Sequence, residues 1–171
     1  MAAQTLAWGH WPGTVSAQAL SEGTRLTGFA VAPDGRSLAW TEHQPAARGR
    51  TRLRVAAAGA PAAAWSPAGV SPRCRVHEYG GRAVWAGTPT YPWLFIEETD
   101  QGVWALTERG RPEPLHIAEG LRHGDCDLHA ASGRLVCLQE DPAGERTRVV
   151  LLDVNTGNPP RVLAETDEFC A

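Results

Sequence analysis

Phe29-Ala30-Val31-Ala32-Pro33-Asp34-Gly35-Arg36-Ser37-Leu38-Ala39-Trp40-Thr41 reads as strand, turn, strand. Two short apolar runs flank Pro-Asp-Gly, where proline presets φ, aspartate caps its own backbone and glycine accepts positive φ. Working outward, the alternation continues. Arg48, Arg50, Arg52 and Arg54 interleave with Leu53 and Val55, as on the outer, wet strand of a small sheet. The Ala-, Pro- and Gly-rich residues 56–72 serve as a surface connection, with a weak strand near Trp65. Ahead of the hairpin, Ser16 is placed to cap one helical turn.

The same unit recurs twice. Ala83–Ala86, Trp93–Glu97, Gly102–Leu106 and Pro114–Ile117 form one set, broken at Thr88-Pro89, Asp100-Gln101-Gly102 and Arg109-Gly110. Asp125–Leu128, Arg134–Gln139, Thr147–Val154 and Arg161–Leu163 form the next. First-to-second-strand turns recur about every 40 to 55 residues, the spacing of four-stranded propeller blades. The expected fold is all-β: a partial, open β-propeller of about three antiparallel blades. Residues 1–22 form an extended lead-in with a short helical turn; 23–171 form the propeller, with blades near 23–72, 73–120 and 121–168. Three blades do not close a ring, so two blade faces stay open and the chain reads as part of a larger protein.

Bulk properties narrow the function. At 171 residues with 43 % hydrophobic and 20 % charged content, the chain supports one ordinary core. All 16 basic residues are arginine, yet the net charge is −3, against a general nucleic-acid binder. The amino terminus lacks the positive and apolar regions of a secretory signal, and no run reaches membrane-span length, so a cytoplasmic protein without membrane association is expected. Cys74, Cys126, Cys137 and Cys170 lack C-x-x-C spacing and read as reduced thiols.

Chemistry concentrates in Arg73-Cys74-Arg75-Val76-His77-Glu78-Tyr79-Gly80-Gly81, just before an apolar strand. Two readings stand. In one, Arg75, His77, Glu78 and Tyr79 are a binding or inter-domain site, and Gly80 and Gly81 hold its sharp bend. In the other, Arg75 pairs with Glu78 and Tyr79 packs, as in many ion-pair loops. Trp40, Trp85 and Trp104 lie within strands and are expected to pack between blades.

No catalytic residue is expected. Ser21 in Ala19-Leu20-Ser21-Glu22-Gly23 follows no strand; Ser71 precedes Pro72, which has no N–H for an oxyanion; Ser37 leads into a strand where a nucleophile elbow needs a helix. Ser16, Ser66 and Ser132 lack flanking glycines. Neither metal nor cofactor is expected. His123, Asp125, Asp127 and His129 alternate, but same-face side chains on a strand stand about 7 Å apart, too far for all four to reach one ion. A short strand and solvated turn is the expectation there. No phosphate-binding glycine loop occurs.

The chain resembles the amino-terminal propeller of bacterial S9, or prolyl oligopeptidase, family serine peptidases, in the dipeptidyl aminopeptidase or acylaminoacyl peptidase branch. Trp8-Gly9-His10-Trp11-Pro12 with Val15-Ser16-Ala17 is similar to that branch's opening element. Arg73 through Gly81 resembles its R-T-R-V-H-E-Y-G-G element, Arg122 through Leu135 its R-Y-A-D…D…G-R-L, and Gln139-Glu140-Asp141 its R-E-D-H. Asp167-Glu168-Phe169 resembles the D-F that opens a further blade. Gln139 and Pro142 depart from the family's Arg and His, and Arg82 follows Gly81 where a small residue is usual. The resemblance implies a non-catalytic propeller that gates peptide substrates for a separate α/β-hydrolase domain, with Glu78 a candidate for a substrate's α-amino group. A stand-alone module completed by self-association through open blade edges, or a functionless remnant, are the alternative readings.

Overall fold

In the computed structural model, residues 5, 7, 15–64, 67, 69–107 and 110–167 are described. The Trp8–Pro12 element, Trp65, Ser66, Arg109, Cys170 and the Glu168-Phe169 pair lie outside them. The first described element is helix α1 (Ala17–Glu22), whose start is set by Ser16: its Oγ accepts from Ala19 N at 3.0 Å.

Among the described residues, twelve strands follow in chain order. They are β1 (Arg25–Val31), β2 (Ser37–Gln44), β3 (Arg50–Ala57) and β4 (Ala63–Ala64); then β5 (Val84–Ala86), β6 (Trp93–Ile96), β7 (Val103–Leu106) and β8 (Pro112–His116); then β9 (Arg122–His129), β10 (Arg134–Asp141), β11 (Arg146–Asp153) and β12 (Arg161–Thr166). They form three separate antiparallel sheets of four strands, each a meander in sequence order. The first strand of the middle blade, β5, runs beside both β1 and β9, so the first strands gather at a common centre and the later ones fan outward. This is an open propeller arc; no sheet closes on itself.

Alternation dictates which face each blade buries. In the first blade Ala39 opposes Val55 and Thr41 opposes Leu53, and this face packs on Val84, Trp93, Phe95 and Leu106 of the second. Trp85, Leu94, Ile96, Val103 and Ala105 of the second blade meet Leu135, Cys137, Val150 and Leu152 of the third. A fully buried aliphatic or aromatic side chain contributes about 1.5–3 kcal/mol, so these two seams dominate the stability. The outward faces remain open: Leu38 and Trp40 on the first blade, Val136, Leu138, Val149 and Leu151 on the third, with Val136 37 % exposed.

Several expectations need correction. β3 is not the outermost strand, although β4 pairs only Arg54 and Val55, and Arg54 bonds Glu42 at 3.0 Å instead of standing free in water. β9 is a full eight-residue strand, because a bulge sets Asp125 and Cys126 opposite the single Cys137, with Asp125 taking φ 43°. Cys126 and Cys137 are not separate thiols: they form a disulfide between β9 and β10. Counting inward from the facing pair His129 and Arg134 brings 126 opposite 137. Trp85 is buried between blades and the half-exposed Trp104 packs on the seam of the first and second, as expected, with its indole N–H bonding Asp100; Trp40 is half-exposed on an outer face and its indole N–H bonds Glu42.

Candidate functional site

The segment 71–82 connects the first blade to the second and reaches the third. It begins as a two-bond extension of the middle sheet: Arg73 N donates to Ile96 O at 2.9 Å and Glu98 N to Ser71 O at 3.0 Å. Ser71 ties it back to the first blade, accepting from Thr51 N at 3.1 Å while its hydroxyl donates to Glu98 Oε2 at 2.7 Å. Gln101 grips the other side. Its amide nitrogen donates to the carbonyls of Arg73 and Glu98, and its Oε1 accepts from Arg75 N at 2.7 Å.

Beyond Arg75 the chain turns sharply against the third blade. Cys74 Sγ donates to His123 O at 3.4 Å, and Val76 is buried against Gly124. His77 and Glu78 occupy the left-handed region at φ 56° and 62°, a costly conformation for residues with a Cβ. Two contacts hold them there: His77 N donates to Glu140 Oε2 at 3.1 Å, and the Arg122 guanidinium bonds Glu78 Oε1 and Arg75 O. Gly80 is required twice over. Its φ is 71°, and a Cβ would stand 2.6 Å from Cys74 O.

The ion pairs differ from the local pairing the sequence suggested. Arg75 pairs with Glu98 at 3.3 Å, sharing that carboxylate with Arg73, while Glu78 pairs with Arg122. Tyr79 does not pack into the core; it is 89 % exposed. His77 is the half-buried member, its Nδ1 3.7 Å from Glu140 Oε1. The structure therefore brings Glu78 and His77 together through Arg122 and Glu140, and sends Arg75 to the opposite side of the turn.

Beneath the turn lies a buried polar layer. His123 is fully buried; its Nδ1 meets Gln101 O and its Nε2 meets the Gln139 amide nitrogen, each at 3.0 Å. With an amide donor at Nε2, the neutral ring carries its proton on Nδ1. Burial pushes its pKa down to about 4, and the edge-on ring of His116 is likewise lowered by burial. Burial raises the Cys74 thiol, which makes it a poor nucleophile, and raises Glu97. Burial opposes ionisation of Glu98 as well, but hydrogen bonds from Ser71 and Arg75 and the charge of Arg73 bring it below the usual carboxylate range.

Gln101, Arg122 and Glu140 hold the loop and Gln139 holds His123 beneath it, partners that the local sequence of the loop does not name. The signal lay in the elements around Arg122 and Gln139-Glu140-Asp141, which bring Arg122 and Glu140 from the third blade. Ser132 lacks the glycines of a nucleophile elbow, yet its hydroxyl lies 2.8 Å from His129 Nδ1. Both side chains are exposed on the turn joining β9 to β10, with no nucleophile elbow, so the pair braces a turn. Among the described residues, no three His, Cys, Asp or Glu side chains are grouped to hold one metal ion, and no helix is long and apolar enough to cross a membrane.

Three meander blades around one centre, joined by a segment that touches all three, define an arc of a β-propeller. No protein-family profile and no curated protein matches the chain. Among solved structures it is similar to a puromycin-hydrolysing peptidase of Mycobacterium tuberculosis, at 29 % identity over 94 % of this chain and 26 % of that one, with a TM-score of 0.71. A puromycin hydrolase solved in complex with PGG aligns at 22 % identity over 90 % of this chain and 26 % of its own, with a TM-score of 0.73. A TolB-like protein of Agrobacterium tumefaciens shares the fold alone, at 10 % identity, with a TM-score of 0.58 over 84 % of this chain and 50 % of that one. The chain is similar to the propeller region of these peptidases and spans about a quarter of the length of the peptidase structures it matches.

Proposed function

We propose that this chain is the propeller that docks on an α/β-hydrolase domain of a serine peptidase and gates access to it. The observation that carries the reading is the 29 % identity maintained over 94 % of the chain with a puromycin-hydrolysing peptidase. The strained turn at His77 and Glu78 supports it, because backbone strain held by surrounding contacts clusters at working sites. In this reading Arg75, His77, Glu78 and Tyr79 border the inter-domain space, and the second oxygen of the 76 % exposed Glu78 side chain receives a peptide's α-amino group.

The test combines this chain with a separately purified α/β-hydrolase domain of a puromycin-hydrolysing peptidase and follows a chromogenic aminoacyl substrate. The expected outcome is no turnover by this chain alone, and selectivity against long peptides in the mixture that the hydrolase domain by itself lacks. Turnover by this chain alone overturns the proposal. A second reading, a binding module completed by its own copies, is favoured by the open apolar faces at Leu38 and Val136. Light scattering distinguishes it through a defined oligomer. A cytoplasmic location belongs to the proposal too. Cell fractionation decides.

A further inference from the structure

A cavity of about 680 Å³ opens at the seam between the first blade and the 71–82 segment; Tyr79, Gly80 and Gly81 border it, but its arginines have been given no role in the preceding reading. Its lining is one-sided in charge: Arg25, Arg73 and Arg82 contribute, with His43, and no aspartate or glutamate does. Arg73 is only partly neutralised, because Glu98 divides one negative charge between Arg73 and Arg75. Arg82 donates to Cys126 O at 3.3 Å and lies over the Trp85 ring at 5.5 Å, a contact that leaves its charge in place. Arg25 and Arg82 make no ion pair among the described residues. Asp125, which packs against Gly81, is not part of the lining.

The recess is built into the backbone. The β1–β2 register shifts between Thr27 and Ala30, where Gly28 takes φ 63°, and Thr41 Oγ1 reaches Thr27 O at 2.8 Å to close the bulge. Bulges of this kind re-aim side chains beside binding sites. On the opposite wall, side chains at positions 80 and 81 would collide with Cys74 O and Asp125, so the glycine pair fixes how close that wall runs. The volume lies within the range of small-molecule sites, and guanidinium groups recognise carboxylates through paired N–H donors. The 60 % exposed Phe29 adds an apolar edge to the lining.

From this we infer that the recess binds the carboxylate of a short peptide, held by Arg25 and Arg82 with Arg73 behind them. The choice of a peptide as the bearer rests on the peptidase reading; the anion chemistry does not. The test titrates the chain as it is, by calorimetry at low ionic strength and by amide NMR, with N-acetyl triglycine, its carboxamide and inorganic phosphate. The expected result is saturable binding of the acid, shifts at the Gly28, Gly80 and Gly81 amides, and at least about tenfold weaker binding of the carboxamide. Arg25→Gln, which removes no ion pair or side-chain hydrogen bond among the described residues, weakens the acid about tenfold with unchanged melting, and Arg82→Gln does the same if it folds. Equal binding of acid and carboxamide, or no binding of either, overturns the site. Phosphate binding as tightly as the acid overturns the peptide assignment. Because no hydrolase domain is present, failure here is distinct from failure of the gating test.

Discussion

Gly124 lies against Cys74 so closely that a Cβ at position 124 would stand 2.6 Å from the Cys74 sulfur and 2.9 Å from Val76 Cγ2. The first-to-second-blade segment and the third blade therefore meet with no room for a methyl group. Gly124→Ala is expected to lower stability by about 1–3 kcal/mol, read as an earlier denaturant midpoint. Adding Cys74→Ala should recover part of the loss and leave the clash with Val76. Full stability in the single variant would show that the contact is looser than described.

Acid should weaken the fold through His123. Its pKa is 6.5 in an unfolded chain and about 4 here, so the neutral ring is favoured in the folded state. Between those values the unfolded chain binds a proton that the folded one refuses. Stability is thus fully present above pH 6.5 and falls as the pH drops toward 4, by about 3 kcal/mol in all from this group. Urea unfolding across that window measures the slope, and His123→Asn should flatten it.

Removing the Glu140 carboxylate takes away the acceptor for His77 N and one partner of Arg122. Glu140→Ala should cost about 1–3 kcal/mol, and hydrogen exchange at the His77 and Gly80 amides should accelerate well beyond that of the β6 amides. Uniform acceleration everywhere would mean that the turn is not a local unit.

Reducing the Cys126–Cys137 disulfide opens a short loop of the unfolded chain, sequence separation 11. Loss of that crosslink should lower stability by about 3 kcal/mol, seen as a fall in Tm on adding reductant. The Cys126→Ala, Cys137→Ala double variant should melt near the reduced protein and ignore the reductant.

Much of the architecture was legible because blades are local. Pro33-Asp34-Gly35 and Ser132-Gly133 mark hairpins whose strands follow at once in sequence, and Leu53 between Arg52 and Arg54 announces a one-sided strand. The candidate loop was legible as a place, and its partners were not. Arg75 turns to Glu98 and Glu78 to Arg122 because Gln101 and Arg122 arrive from other blades, at distances along the chain that no local pattern encodes. The disulfide was readable from the hairpin register at His129 and Arg134, but only once β9 was taken at full length.

Residues 71–82 bond the first blade through Ser71, the second through Arg73 and the third through His77, so a single segment stitches the three blades together. Looser packing is then expected at the rims, beside the exposed Leu38 and Val136. A propeller of this design would open like a clasp at its ends and not like petals parting throughout.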